Sequence, residues 1–354
     1  MIGHAQVEVE DVLARALEAR AFSAVSAEIG GASGPRWTHA AGRLGFDSTT
    51  RPVDLDTIFD LASLTKVLAA TTLALQLTAR RQLGLQTPVR QLVPTWHGED
   101  RAGVRVRDLL EHSSGLPACR DYFLTLGDRD GFIRAIAEEP LEYVPGTRAL
   151  YSDLGFILLG VVLEQVGGGS LAEQFAAWRA AIGVTAPLDY RPPPEWHVRT
   201  ALTEHYESRG KALQGEVHDR NTAALGGVAA HAGLFGTAAA VGAVARWWLD
   251  LLRGRNNTMT GVTARDALIF ARRSTVPGSS RALGWDTMLP TSSCGSRMSA
   301  NAIGHTGFTG TSIWIDPGRD AYYVLLTNRV LASDTSDEIQ RVRREFHDAA
   351  NRAP

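Results

Sequence analysis

Cysteine is nearly absent from the 354-residue chain, which carries only Cys119 and Cys294. That excludes a disulfide framework and leaves two free thiols as the simpler expectation. No 18 apolar residues run unbroken, so no membrane-spanning helix is expected. Basic runs are missing too. The formal net charge is -2, and no Lys/Arg stripe offers footing to nucleic acid or an anionic membrane surface. The first ten residues lack a positive segment followed by an apolar core, so they do not read as a secretory signal. These absences point to a cytoplasmic location and a small-molecule substrate as partner, with no nucleic acid and no membrane.

What is present is ordinary for a globular chain. Apolar residues make up 44% and charged residues 21%, and the length suffices for one large core or two that share an interface. Residues 7–20 carry apolar positions at helical spacing (Val9, Val12, Leu13, Ala16, Leu17), and 21–29 alternate with period two before a Gly/Ser/Pro turn at 30–35. A returning strand is expected over 36–44. Further helices are expected over 63–82, 104–111, 129–138, 152–166, 170–182, 237–253 and 336–351. Residues 183–222 read as a long irregular connection, and strands are expected over 302–315 and 321–328 around an Asp316-Pro317-Gly318 turn. Strands at both ends and helices between them predict an α/β (α+β) fold. An antiparallel sheet built from 1–62 and 270–354 is flanked by terminal helices, 63–269 form a mostly helical second lobe, and the site lies in the cleft between them.

Chemistry concentrates first at Ser63 and Lys66. On a helix, residues three apart share a face. A serine at the first turn gains from the helix dipole as charge develops on its oxygen. Its hydroxyl is a poor nucleophile until a neighbour takes or directs its proton, which a partly desolvated lysine can do. Two further elements follow in order: Tyr151-Ser152-Asp153, then His305-Thr306-Gly307.

This set resembles the S-x-x-K, S-D-N and K-T-G elements of the penicillin-recognising serine hydrolases. It is most similar to the β-lactamase/transpeptidase-like branch with class C β-lactamases, D-alanyl-D-alanine carboxypeptidases and family VIII esterases, where the second element is Y-x-N or a variant and the third can be H-T-G. Leu109-Leu110-Glu111-His112-Ser113-Ser114-Gly115-Leu116-Pro117 resembles that branch's L-L-x-H-T-S-G-L-P, and Gly233-Leu234-Phe235-Gly236-Thr237-Ala238 its G-L-F-S-T-A. The resemblance spans roughly 20–330. It implies Ser63 as the acylated nucleophile, Lys66 as its proton partner and Tyr151 as a proton shuttle. It implies His305 and Thr306 on a strand facing Ser63, and an oxyanion hole from the backbone N–H groups of Ser63 and Phe308. Gly307 and Gly310 would let substrate approach closely. It calls for no cofactor and no metal.

Two departures matter. Asp153 stands where many members have Asn and adds a charge that raises the Lys66 pKa. His305 replaces Lys and leaves a weaker, pH-dependent positive charge. Both weaken a β-lactamase reading relative to an esterase or carboxypeptidase one. A second cluster, Gly215-Glu216-Val217-His218-Asp219-Arg220-Asn221 with His231, matches no zinc spacing. It is expected to shape a loop through a His218–Asp219 pair, with His218 in reach of substrate. The alternative from another class is a catalytically idle binding or sensor domain, against which the intact Ser63, Lys66 and Tyr151 argue.

Overall fold

The computed structural model describes residues 2–206, 211–332 and 337–352. Helix α1 (Ile2–Glu18) leads into the hairpin β1 (Ala24–Gly31) and β2 (Gly34–Gly42), followed by the short strand β3 (Phe59–Asp60). The middle of the chain holds α2 (Thr72–Ala79), α3 (Val106–Leu110), α4 (Arg129–Glu138), α5 (Asp153–Gly167) and α6 (Leu171–Ala181). The connection after α6 contains β4 (Leu188–Tyr190), α7 (Pro194–His197), the two-residue strands β5 (His205–Tyr206) and β6 (Lys211–Ala212), and α8 (Arg220–Ala224). Then come β7 (Leu234–Gly236), α9 (Ala238–Leu252), α10 (Ala264–Ala271), β8 (Asp286–Thr287), β9 (Ile303–Thr306), β10 (Ser312–Asp316), β11 (Ala321–Thr327) and α11 (Asp337–Ala350). The expected start of the last helix at Ser336 lies outside the described residues.

Six strands form one antiparallel sheet in the order β2-β1-β11-β10-β9-β8. The pairing of β1 with β11 (Val25 opposite Thr327) brings the two ends of the chain together. Period two explains why both faces are covered. Tyr322, Val324 and Leu326 enter the large core shared with the helices, while Tyr323 and Leu325 turn to a second core with Val9 and Leu13 of α1 and Phe346 of α11. Helix α9 lies across the inner face, against β1, β10 and β11. Trp247 and Trp248 on it are buried, each edge-on to a further tryptophan (Trp178 and Trp285), as expected of packing residues.

One expected strand proves to be two. The run 302–315 folds back on itself as β9 and β10, with Ser312 opposite Thr306. The fold-back needs Gly310, whose φ is +106° and where a Cβ would lie 2.0 Å from Thr327 Oγ1. Among the described residues no single helix is long and apolar enough to cross a membrane.

Candidate active site

The hydroxyl group is set by strain and a buried carboxylate. Ser63 sits in a single 3-10 turn, Ala62–Leu64, directly after β3. Ala62, before it, has a φ of +46°, a left-handed conformation costing a non-glycine residue on the order of 1–3 kcal/mol. Asp60 holds it there. Its carboxylate accepts the N–H groups of Ala62 and His218, both at 2.8 Å. The helix expected over 63–82 is not uniform: the 3-10 turn gives way to a π-helical stretch, Lys66–Thr71, and only then to α2. The Thr72 hydroxyl donates to the Val67 carbonyl, five residues back, at 2.9 Å, which fits the wider turn.

Ser63 and Lys66 meet nonetheless. Lys66 is fully buried, and its Nζ donates to Ser63 Oγ at 3.1 Å, Asp153 Oδ1 at 2.7 Å and the His231 carbonyl at 3.1 Å. Three ammonium protons thus find three acceptors. Burial works to lower the pKa, but the Asp153 carboxylate and the Tyr151 phenol outweigh it and hold Lys66 above its ordinary 10.5. Lys66 is therefore an ammonium at neutral pH, as the departure at Asp153 led us to expect. Replacing Asp153 by Asn should leave burial dominant and drop the Lys66 pKa. The limb of the kcat/KM pH profile that Lys66 governs should then move down by about one unit or more. An unmoved profile would show that Asp153 does not set the charge on Lys66.

Tyr151 is half-buried, its ring 4.8 Å from Lys66 Nζ and 5.1 Å from the Arg281 guanidinium carbon. His112, from the 109–117 segment, packs on that ring at 4.6 Å and accepts the Ser152 N–H on Nδ1 at 3.0 Å. His305, on β9, lies 5.9 Å from the Tyr151 ring and is 3% exposed. Burial, with Arg281 and Lys66 nearby, pushes its pKa well below the ordinary 6.5. The pH-dependent positive charge expected at His305 is therefore absent at neutral pH, and Arg281 joins Lys66 as a cation facing Tyr151. Sequence reasoning missed Arg281, which lies in a Gly278-Ser279-Ser280 loop with no pattern to mark it.

The third element packs against the first. A Cβ on Gly307 would stand 2.7 Å from the Leu61 carbonyl and 3.4 Å from Ala62 Cβ, so this glycine makes room for the turn that carries Ser63. Thr309 Oγ1 donates to the Asp60 carbonyl at 2.8 Å, and Thr311 Oγ1 to the Leu61 carbonyl at 3.1 Å. Half-buried Thr306 accepts His305 Nδ1–H on its carbonyl at 2.8 Å. The Phe308 N–H has no hydrogen-bond acceptor among the described residues. The exposed Phe308 ring stacks on His218 at 5.5 Å.

The second cluster differs from expectation in one pairing. Asp219 engages His231 Nε2 at 2.9 Å, while His218 Nε2 turns to Glu204 at 3.2 Å. Asp219 also caps α8 by accepting the Thr222 N–H at 2.7 Å, which fixes its carboxylate away from His218. This pair anchors the His231 carbonyl, the third acceptor of Lys66. Arg148 and Arg220 lie at the surface, close to Glu142 and Glu204 respectively.

The family model for β-lactamase matches residues 9–345. The chain belongs to the β-lactamase family. It is 32% identical to N-acetylmuramyl-L-alanine amidase of Bacillus subtilis (strain 168), over 80% of this chain and 71% of that protein. To a putative D-alanyl-D-alanine carboxypeptidase of Escherichia coli (strain K12) it is 29% identical, over 77% and 69%. The fold is shared with a β-lactamase/D-alanine carboxypeptidase from Pseudomonas syringae, with a TM-score of 0.77, 17% identity and 99% of each chain covered. The protein is thus a β-lactamase-family serine hydrolase, with the antiparallel sheet and surrounding helices of that fold.

Proposed function

We propose that the protein hydrolyses a small acyl substrate through an acyl-enzyme on Ser63, with an amide or D-amino-acid peptide ahead of simple esters. The observation that carries this reading is Lys66 Nζ held 3.1 Å from Ser63 Oγ by two other acceptors. Ser63 attacks the carbonyl carbon as its proton passes to the oxygen of Tyr151 reacting in its phenolate form, directly or by relay through the Lys66 ammonium, which gives one proton to Tyr151 as it takes one from Ser63. The ammonium of Lys66 steadies the charge on Oγ as that proton departs. The tetrahedral oxygen takes the N–H groups of Ser63 and Phe308. Tyr151 returns the proton to the leaving group, and water then cleaves the ester on Ser63. Arg281 supplies the cation for an acidic substrate, and His218 with Phe308 forms one wall. The sheet from both chain ends and the helical middle serve as one catalytic unit around this cleft. The names of the two curated relatives, an amidase and a putative carboxypeptidase, favour the amide.

The test is intact-protein mass spectrometry after incubation with a fluorophosphonate or a penicillin. One adduct, mapped to Ser63 and missing in Ser63→Ala, is the expected result. Folded wild type without an adduct contradicts the reading. Turnover of nitrocefin, short-chain p-nitrophenyl esters and D-Ala-D-Ala peptides then ranks the substrates.

A further inference from the structure

The Phe308 N–H shares its peptide unit with the Gly307 carbonyl. That carbonyl accepts Nη2 of Arg343 at 2.7 Å, and the same nitrogen reaches the Thr311 carbonyl at 2.9 Å. Arg343 is 6% exposed and comes from α11, on the far side of the sheet from the helical core. The next carbonyl along, that of Phe308, accepts Arg329 Nε at 2.8 Å. Two guanidinium groups therefore grip consecutive carbonyls of the turn that faces Ser63.

We infer that Arg343 is a positioning residue for the oxyanion hole, holding the 307–308 peptide with its N–H aimed at the Ser63 oxyanion. The inference rests on the reading of Phe308 N–H as an oxyanion donor. A peptide is a rigid plane, so fixing the direction of its C=O fixes the opposite direction of its N–H. Glycine at 307 makes this necessary. The close approach to Leu61 and Ala62 demands glycine there, yet glycine also leaves the following peptide free to rotate. A buried cation on the carbonyl removes that freedom and polarises the amide, which strengthens the N–H as a donor. Burial and Arg329 push the Arg343 pKa down to about 9, which leaves it charged at neutral pH. Lysine is shorter and lacks the planar fork, so it is a graded substitute.

The experiment uses the full chain with Arg343→Lys and Arg343→Met, read with p-nitrophenyl acetate and phenylboronic acid. The boronate forms a tetrahedral adduct on serine whose oxygen occupies the oxyanion position. We expect kcat to fall about ten- to hundredfold, with KM little changed, and the boronate Ki to rise in parallel. Thermal melting and near-ultraviolet circular dichroism of Arg343→Lys should stay close to wild type. If Arg343→Met does not fold, Arg343→Lys carries the test. A folded variant with unchanged kcat, or with reduced kcat but unchanged boronate Ki, overturns the inference. Ser63→Ala separates the two claims. Turnover that survives in Ser63→Ala defeats the reading of the site, whereas an inactive Ser63→Ala beside a fully active Arg343→Lys defeats the clamp alone.

Discussion

Replacing Lys66 by Ala is expected to lower kcat/KM by about a thousandfold, while the protein stays folded. The side chain is fully buried and each of its protons has a defined acceptor, so a water filling the space left by its removal brings no fixed positive charge beside Ser63. Ser63 would lose both the group that orients Oγ and the charge that stabilises it as the proton departs. The fold should survive because Asp153, left without its partner, is 27% exposed and can be hydrated. A second readout comes from pH. The folded-state pKa of Lys66 lies above its unfolded value of 10.5. The stabilisation it brings is complete below that pH and is lost as pH rises through the higher folded value. Wild type should therefore lose stability in strong alkali by a component that Lys66→Ala lacks. Steady-state kinetics and urea titrations at alkaline pH measure both effects. An active Lys66→Ala would remove the ammonium from the mechanism.

That Ser63, Lys66, Tyr151 and His305 gather in one place was legible because their three short motifs stand in the order of the family that the sequence resembles. The alternating pattern at both chain ends was equally legible, because a sheet covered on both faces must bury successive residues on opposite sides. Other features left weaker traces. The fold-back between β9 and β10 carries Gly307 and Gly310, but the run of β-forming residues around them reads through as one strand. Nothing in Lys66–Thr71 marks a π-helix, and the bonds that accompany it, from the Thr72 hydroxyl to Val67 and from Trp248 to that hydroxyl, have no signature in the local sequence. Asp60 and Arg343 escaped for a common reason. Each acts on backbone atoms brought near only by the tertiary fold, and a carboxylate or guanidinium bound to a peptide group leaves no periodicity in sequence. The Asp219 partner was misassigned for the same kind of reason: adjacency in the chain favoured His218, while the α8 cap turned the carboxylate to His231.

Mild acid should unfold the protein through three histidines rather than through its carboxylates. His112, His305 and His347 are at most 3% exposed. Burial is the largest cause in each case, and nearby cations add to it. His112 and His305 are held well below 6.5, and His347 is pushed down to about 3. In an unfolded chain all three would titrate near 6.5. Between that pH and the folded values the unfolded state binds more protons, so stability falls as pH falls, by up to about 1.4 kcal/mol per pH unit for each histidine. Three together give about 4 kcal/mol per unit, enough to exhaust a typical 5–15 kcal/mol within a few units. Glu28 and Asp60 act in the opposite sense, because burial raises both, so that acid favours their folded, protonated forms. As pH falls, their effect begins at the raised folded values and is complete at ordinary carboxylate values, so it offsets part of the loss that the histidines cause. Denaturant titrations at pH 7, 6 and 5 should show a steep loss, and His347→Gln should flatten it by roughly one third. That substitution keeps a polar atom near Ser312 Oγ, which His347 Nε2 contacts at 3.0 Å, and removes the titration. Stability independent of pH from 7 to 5 would mean that water reaches these rings, and with it the site behind Tyr151, where two of the three stand.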